Sequence, residues 1–377
     1  MLFGQSGSTS ATVCALLFMG LIVCQKAGGQ QPSSASDTSA LIARGELLFS
    51  ASFTPSQGLG PLFNHTSCAG CHSTPSKGGM GPDGIGTAIR VGRLTTSGFD
   101  PMIGRGGPIA RTRSVSERGL PCELQPGIPA GANVTSVRNA PDLYGKGLID
   151  GLPDEVIAAG AIPKADGVNG RVHWVKGADG KEHVGRFGWK ADTATLKQFV
   201  ADAFRNELGI TNPLAPVDIA PAGQPGHHRC FGEGSGVEDD GSTIDAVTAF
   251  IASLPAPVPH PLSPRGAELF LRLGCETCHT PSLGTEQRLM LYSDLLLHDL
   301  GPALDDKVVQ GQAGGRDWRT TPLWGLGRRQ RFLHDGRART LLEAILAHGG
   351  EATTAQQRFL RLVPPDSDAL LAFLSSL

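Results

Sequence analysis

The chain is 377 residues long, with a net charge of −2 and only 18% charged side chains. That length allows two domains, each able to bury a core, and the near-neutral balance removes the electrostatic case for nucleic acid as a partner. Its 51 glycines and 27 prolines imply long ordered loops joining modest helices.

The N-terminus reads as an export signal over residues 1–30. Residues 11–24 (ATVCALLFMGLIVC) form an apolar run too short for a comfortable membrane span, and a small polar stretch follows from Lys26 to Ser39. The expected destination is the periplasm. The segment before the run lacks Lys and Arg, so a retained helical anchor is the alternative. Leu21-Ile22-Val23-Cys24 is a loose match to a lipoprotein box, with Val a poor fit before the cysteine; lipid attachment at Cys24 is a further alternative.

The next element is a helix through Arg44-Gly45-Glu46-Leu47-Leu48-Phe49, running into Cys68-Ala69-Gly70-Cys71-His72. A second pentapeptide, Cys275-Glu276-Thr277-Cys278-His279, follows an equivalent helix through Arg265-Gly266-Ala267-Glu268-Leu269-Phe270. C-x-x-C-H is the attachment signature for c-type haem: two thiols add to the vinyl groups on one porphyrin edge, and the adjacent His sits under the iron. A shuffled chain of this composition would show roughly 0.005 such matches, so two are not an accident. A zinc ribbon built from the two C-x-x-C pairs is the bland alternative, but it leaves both trailing histidines and the export signal unexplained. The expectation is two covalently bound haems c, held by Cys68, Cys71, Cys275 and Cys278, with His72 and His279 as proximal iron ligands.

The duplication continues beyond these motifs. Arg138-Asn139-Ala140-Pro141 is echoed by Arg319-Thr320-Thr321-Pro322, and residues 245–254 align without gaps to 368–377, each predicted to be a closing helix with an Asp N-cap. The linker, Pro255 to Pro261, alternates prolines and is expected to be extended. The predicted architecture is mainly α: two cytochrome c-like haem domains in tandem, 40–258 and 262–377, the first carrying a loop and short-strand insertion at about 145–235. Within the insertion, Val172–Val175 and His183–Phe187 read as short strands, with Gly177-Ala178-Asp179-Gly180 as a turn, and 193–208 as one amphipathic helix. Cys122 and Cys230 are the cysteines left over; in an oxidising compartment such a pair forms a disulfide, with two buried thiols as the alternative.

Gly185-Arg186-Phe187-Gly188-Trp189-Lys190-Ala191, Tyr292 through Asp299, Arg319 through Gly327 and Leu333 through Thr340 resemble the di-haem oxidoreductase family, often labelled thiol oxidoreductases and related to bacterial di-haem cytochrome c peroxidases and to MauG. The resemblance runs from about residue 40 to the C-terminus. It implies a peroxidase-like oxidoreductase in which one haem receives electrons from a small cytochrome or cupredoxin and the other, with an open site, reacts with peroxide or an organic substrate. It places the distal ligand of the second haem at His348, where relatives use Met or Tyr; the plain alternative is a helix C-cap before Gly349-Gly350. His298 is the runner-up ligand, or a core or propionate contact. A calcium ion between the haems is implied at Asn139, Thr320 and Pro322.

The chain also departs from the family. Gly131 stands where the peroxidases carry a gating His, which suggests an open first iron unless His65, Met80 or Met102 closes it, and Ile149 replaces the inter-haem Trp, leaving Trp189 as a candidate relay. Asp150 and Glu155 fall where relatives place an acidic catalytic group, although Pro153-Asp154-Glu155 equally reads as the first turn of a helix. The run Arg328-Arg329-Gln330-Arg331, with Arg337 and Arg339, is suited to haem propionates or an acidic partner, or is simply a solvated face. The reading from a different class is a di-haem electron carrier with no substrate. The thiol label carries little weight, because Cys122 and Cys230 sit in no C-x-x-C.

Overall fold

The computed structural model describes residues 12–14, 24–26, 35–82, 85–219, 230, 237–260, 263–284 and 288–377. The export signal lies almost wholly outside these residues. Among them no helix is long and apolar enough to cross a membrane. In the N-terminal unit, residues 1–40, Thr12–Cys14 pairs antiparallel with Cys24–Lys26. The rest, residues 41–377, is one compact unit.

The two halves repeat a single helix crossing. Pro264–Leu273 opens the second half, with Pro264 in its first turn and the Ser263 side chain accepting the Gly266 N–H. It packs on the closing helix Pro364–Ser375 at Gly266, where an added Cβ would lie 2.1 Å from the Ala369 carbonyl oxygen and 2.5 Å from Phe373 Cβ. In the first half, Gly45 of Ala35–Ser50 meets Ser242–Ser253 in the same way, 1.9 Å from the Ala246 oxygen and 2.9 Å from Phe250 Cβ. Ala246 and Phe250 are the positions that align with Ala369 and Phe373. A glycine is required where two helix backbones touch, and each crossing buries a phenylalanine beside it, worth about 1.5–3 kcal/mol apiece. Both closing helices begin three or four residues ahead of the predicted Asp, so Asp245 and Asp368 lie inside them and Gly241 and Val363 occupy the caps.

The expected mainly α composition needs correction: the structure is 35% helix and 17% strand, a mixed fold. The largest sheet precedes the predicted insertion. Thr87–Thr95 pairs antiparallel with Val134–Asn139 in the register Thr87↔Asn139 to Gly92↔Val134, and also with Gly98–Asp100 and Ile109–Ala110. Its alternation escapes a hydrophobicity reading because Ser136 and Arg138 point into the buried face while Val137 is exposed. A smaller pair, Leu297–Asp299 with Asp317–Arg319, stands in the second half. Inside the insertion Trp174–Lys176 and Glu182–Val184 form the expected hairpin, closed by the Gly177 N–H on the Lys181 carbonyl. The amphipathic helix starts at Leu196, under a Thr195 cap, and widens into a π-type turn over Phe204–Leu208. Cys122 and Cys230 are disulfide-bonded.

Two hydrophobic clusters fill the compact unit. One gathers Phe49, Phe53, Phe204 and Phe250 with Leu291, Leu295 and Trp324 from the second half; the other is built from Leu269, Phe270, Phe359 and Phe373.

Candidate functional site

Both pentapeptides fold as one helical turn, which turns each histidine back toward its first cysteine. The His72 N–H donates to the Cys68 carbonyl and the His279 N–H to the Cys275 carbonyl, both at 2.9 Å. Burial pushes the thiols of Cys68, Cys71 and Cys275 up to about 12, and none of the four motif cysteines is in a disulfide.

The histidines are oriented from behind. His72 Nδ1 donates to the Pro141 carbonyl at 3.0 Å, His279 Nδ1 to the Tyr292 carbonyl at 3.1 Å, and His348 Nδ1 to the Ala344 carbonyl at 2.7 Å. A proton on Nδ1 leaves Nε2 unprotonated, as a metal ligand requires. Burial lowers the pKa of all three imidazoles, that of His279 to about 4 with nearby His348 adding to the effect. Burial thus favours the neutral form of each ring. The rings of His279 and His348 face each other with centroids 6.4 Å apart and planes inclined by 51°. His348 follows the short helix Leu341–Leu346, which is started by a capping box in which Thr340 and Glu343 satisfy each other's backbone N–H groups.

His279 and His348 line a cavity of about 260 Å³, together with Cys275, Cys278, Leu341 and Phe359. Its wall extends past Trp189, Trp318 and Met80, and carries Lys146, Arg186, Arg319, Arg329 and Arg331. These cations are largely held: Arg329 pairs with Asp142 at 3.1 Å, and Arg331 donates to the Gly81 and Pro82 carbonyls. Arg329 Nε is buried with no hydrogen-bond partner among the described residues. Arg337, by contrast, is exposed and pairs with Asp335.

The remaining candidates scatter. Asp150 and Glu155 are exposed and neither lines the cavity; Asp150 accepts the Leu196 N–H at 2.7 Å, and Glu155 lies in the first turn of Asp154–Ala158. Trp189 donates its indole N–H to the Asn139 carbonyl at 2.9 Å. Ile149 is buried on the cavity wall. Gly131 occupies an open turn with nothing within 4 Å of an added Cβ. His65 lies against Gly70 inside the first pentapeptide, while Met102 is buried beside Gly107.

The implied calcium site fits only in part. Asn139 is buried with neither side-chain polar atom hydrogen-bonded among the described residues, which suits an oxygen donor. The carbonyl of Thr320 accepts from Arg319 Nη1 at 3.1 Å and from the Ser293 hydroxyl, and that of Pro322 from Arg329 Nη2 at 2.8 Å. Two guanidinium cations thus sit on two of the three oxygens, and the set does not present an open donor shell to a dication.

Sequence reasoning missed two buried charge clusters. In one, Asp306 pairs with Arg138 and, at 3.2 Å, with Lys190, while both cations lie over Trp318 at 4.4 and 4.3 Å from the ring centroid and His334 stacks on it at 3.7 Å. In the other, His298 bridges Asp294 at 3.1 Å and Glu351 at 2.8 Å, with Cys278 Sγ 3.5 Å away. Burial opposes charge on His298, yet its hydrogen bonds to Asp294, Cys278 and Glu351 hold its pKa up at about 12. The spacing of Asp294 and His298, four apart in a matched segment, was the available signal.

The sequence pattern of a family described as "Di-haem oxidoreductase, putative peroxidase" matches residues 132–377, well over half of the chain. The chain belongs to that family. This di-haem oxidoreductase matches none of the curated proteins searched. Among solved structures it is similar to the hydrazine synthase of Kuenenia stuttgartiensis, at 14% identity over 99% of this chain and 100% of that one, TM-score 0.42. It is similar also to the diheme peroxidase BthA of Burkholderia thailandensis E264, at 19% identity over 90% and 86%, TM-score 0.41. A MauG-like protein associated with microbial copper homeostasis matches at 15% identity over 93% and 91%, TM-score 0.41.

Proposed function

We propose that this oxidoreductase is an exported, periplasmic c-type protein of peroxidase kind. It takes electrons from a small cytochrome or cupredoxin and uses them on peroxide or an organic substrate. Its two cytochrome c-like domains, 40–258 and 262–377, hold one haem each through Cys68 and Cys71 and through Cys275 and Cys278, with His72 and His279 as proximal ligands. The observation that carries this reading is the pairing of His279 with His348. Their ring centroids lie 6.4 Å apart, so both imidazoles would be able to serve one iron. His348 would then be the distal ligand of the second site.

When bound, the haems supply one-electron transfer and activation of a peroxide O–O bond. The polypeptide does the rest. The Pro141, Tyr292 and Ala344 carbonyls fix the imidazole tautomers, and burial disfavours charge on those rings. Arg319 and Arg329 supply positive charge at the junction, so no step is assigned to calcium.

The test is optical and EPR spectroscopy with mass analysis. Two haems retained after denaturation, one low-spin iron, one high-spin iron and one cyanide bound per chain are expected. Two low-spin irons indifferent to cyanide would make the protein an electron carrier instead. Treatment with a calcium chelator is expected to leave these spectra unchanged; loss of either signal, restored by calcium, would return the ion to the junction.

A further inference from the structure

The two histidines of the second site hang from separate arms of the chain. The first arm is the proximal one: the Tyr292 carbonyl accepts a hydrogen bond from His279 Nδ1 at 3.1 Å, and two residues on the Asp294 N–H donates to the Cys278 carbonyl at 2.9 Å. The second arm is the helix Leu341–Leu346 and the turn His348-Gly349-Gly350-Glu351 behind it. His298, on the strand Leu297–Asp299, touches both. Its Nε2 reaches Asp294 at 3.1 Å and its Nδ1 reaches Glu351 at 2.8 Å, with the side chain only 2% exposed.

The distal arm is docked at that point by several bonds. The Glu351 carboxylate also accepts the Asn169 N–H at 2.9 Å and the Asp299 N–H at 3.3 Å. Gly350 has φ +55° and lies so near the same strand that a Cβ would sit 2.2 Å from the Asp299 carbonyl oxygen. Lys164 anchors the other end, with its ammonium 3.1 Å from Asp294 and 2.5 Å from the Thr277 carbonyl. A continuous path therefore runs His279–Tyr292–Asp294–His298–Glu351–His348 around one edge of the cavity. Charge-assisted bonds at its centre are about twice as strong as neutral ones.

We propose that His298 is a clasp that holds the His348 arm at the ligating distance from His279, a positioning residue rather than a ligand. This rests on the reading of His279 and His348 as the axial pair. With the clasp closed, the second site is six-coordinate and shut to outside ligands. With it broken, Glu351 is released three residues from His348, the arm swings away and the site opens.

The experiment measures carbon monoxide uptake by the fully reduced, haem-loaded full-length protein, alongside the ferric low-spin EPR signal. His298→Leu and Glu351→Ala are each expected to raise uptake by one molecule per chain and to lose the bis-imidazole low-spin signal, with both haems still attached by mass. Glu351, at 16% side-chain exposure, decides the matter if His298→Leu fails to fold. His348→Gly is the reference and opens the site by construction. If His348→Gly opens it while the other two variants keep the parent spectrum, the clasp is overturned and the ligation stands. If His348→Gly itself changes nothing, the axial reading falls and takes the clasp with it.

Discussion

Replacing His348 with methionine raises the midpoint potential of the second haem by on the order of 100 mV. Imidazole is a harder donor than a thioether and favours ferric iron, whereas sulfur favours the reduced metal, so the exchange shifts the couple upward. The site is well placed to show this. His348 is buried and its Nδ1 proton is fixed on the Ala344 carbonyl, which leaves Nε2 free to face the cavity as a ligand. Methionine has the reach and flexibility to meet an iron from the same helix end. A spectroelectrochemical titration of parent and variant checks it. An unchanged potential in a variant with both haems attached would remove His348 from the coordination sphere.

What the sequence made legible was whatever chain-local chemistry requires. The pentapeptides, the helix before each, the paired glycines Gly45 and Gly266 and the disulfide partners Cys122 and Cys230 are all visible as residue types at fixed spacings. What stayed hidden depends on pairing across distance. Val134–Asn139 is a strand whose inward face carries Ser136 and Arg138 rather than aliphatic residues, so alternation of polarity could not announce it. The reason Arg138 is tolerated inside lies far along the chain, at Asp306, and so does one counter-charge of His298, Glu351, although its other, Asp294, is only four residues away. No local pattern encodes such partners, since burial of a charge is acceptable only once the fold has delivered its counter-charge. The same logic bears on Asp150 and Glu155: their place in order along the chain suggested chemistry, but the fold leaves them exposed.

Asp306→Asn destabilises the protein by about 3–5 kcal/mol, the cost of removing one member of a buried ion pair. Asp306 is 4% exposed and is the anion shared by Arg138 at 6% and Lys190 at 0%. Removing it leaves Lys190 only the Gly314 and Gly315 carbonyls and leaves both cations against the Trp318 ring, whose face offsets about 2 kcal/mol of their desolvation. By contrast Glu46→Gln, which breaks the exposed pair with Lys77, changes stability by about 0.5 kcal/mol or less. Denaturant titration of the three proteins separates the cases, and a loss below about 1 kcal/mol for Asp306→Asn would show that the cluster is solvated. The same site gives a pH signature of definite sign. Burial lowers the pKa of Lys190 from 10.5 to about 8. Between those values the unfolded chain holds a proton that the folded chain has shed, so this residue makes stability rise with pH, by at most about 1.4 kcal/mol per pH unit. Below the folded value both states are charged and its penalty is fully present. Lys190→Met removes the term, and parent-minus-variant stability is expected to climb from pH 8 to pH 10 in the parent's favour. A flat difference across that window would mean that the ammonium keeps its ordinary proton affinity and is not held dry beneath Trp318.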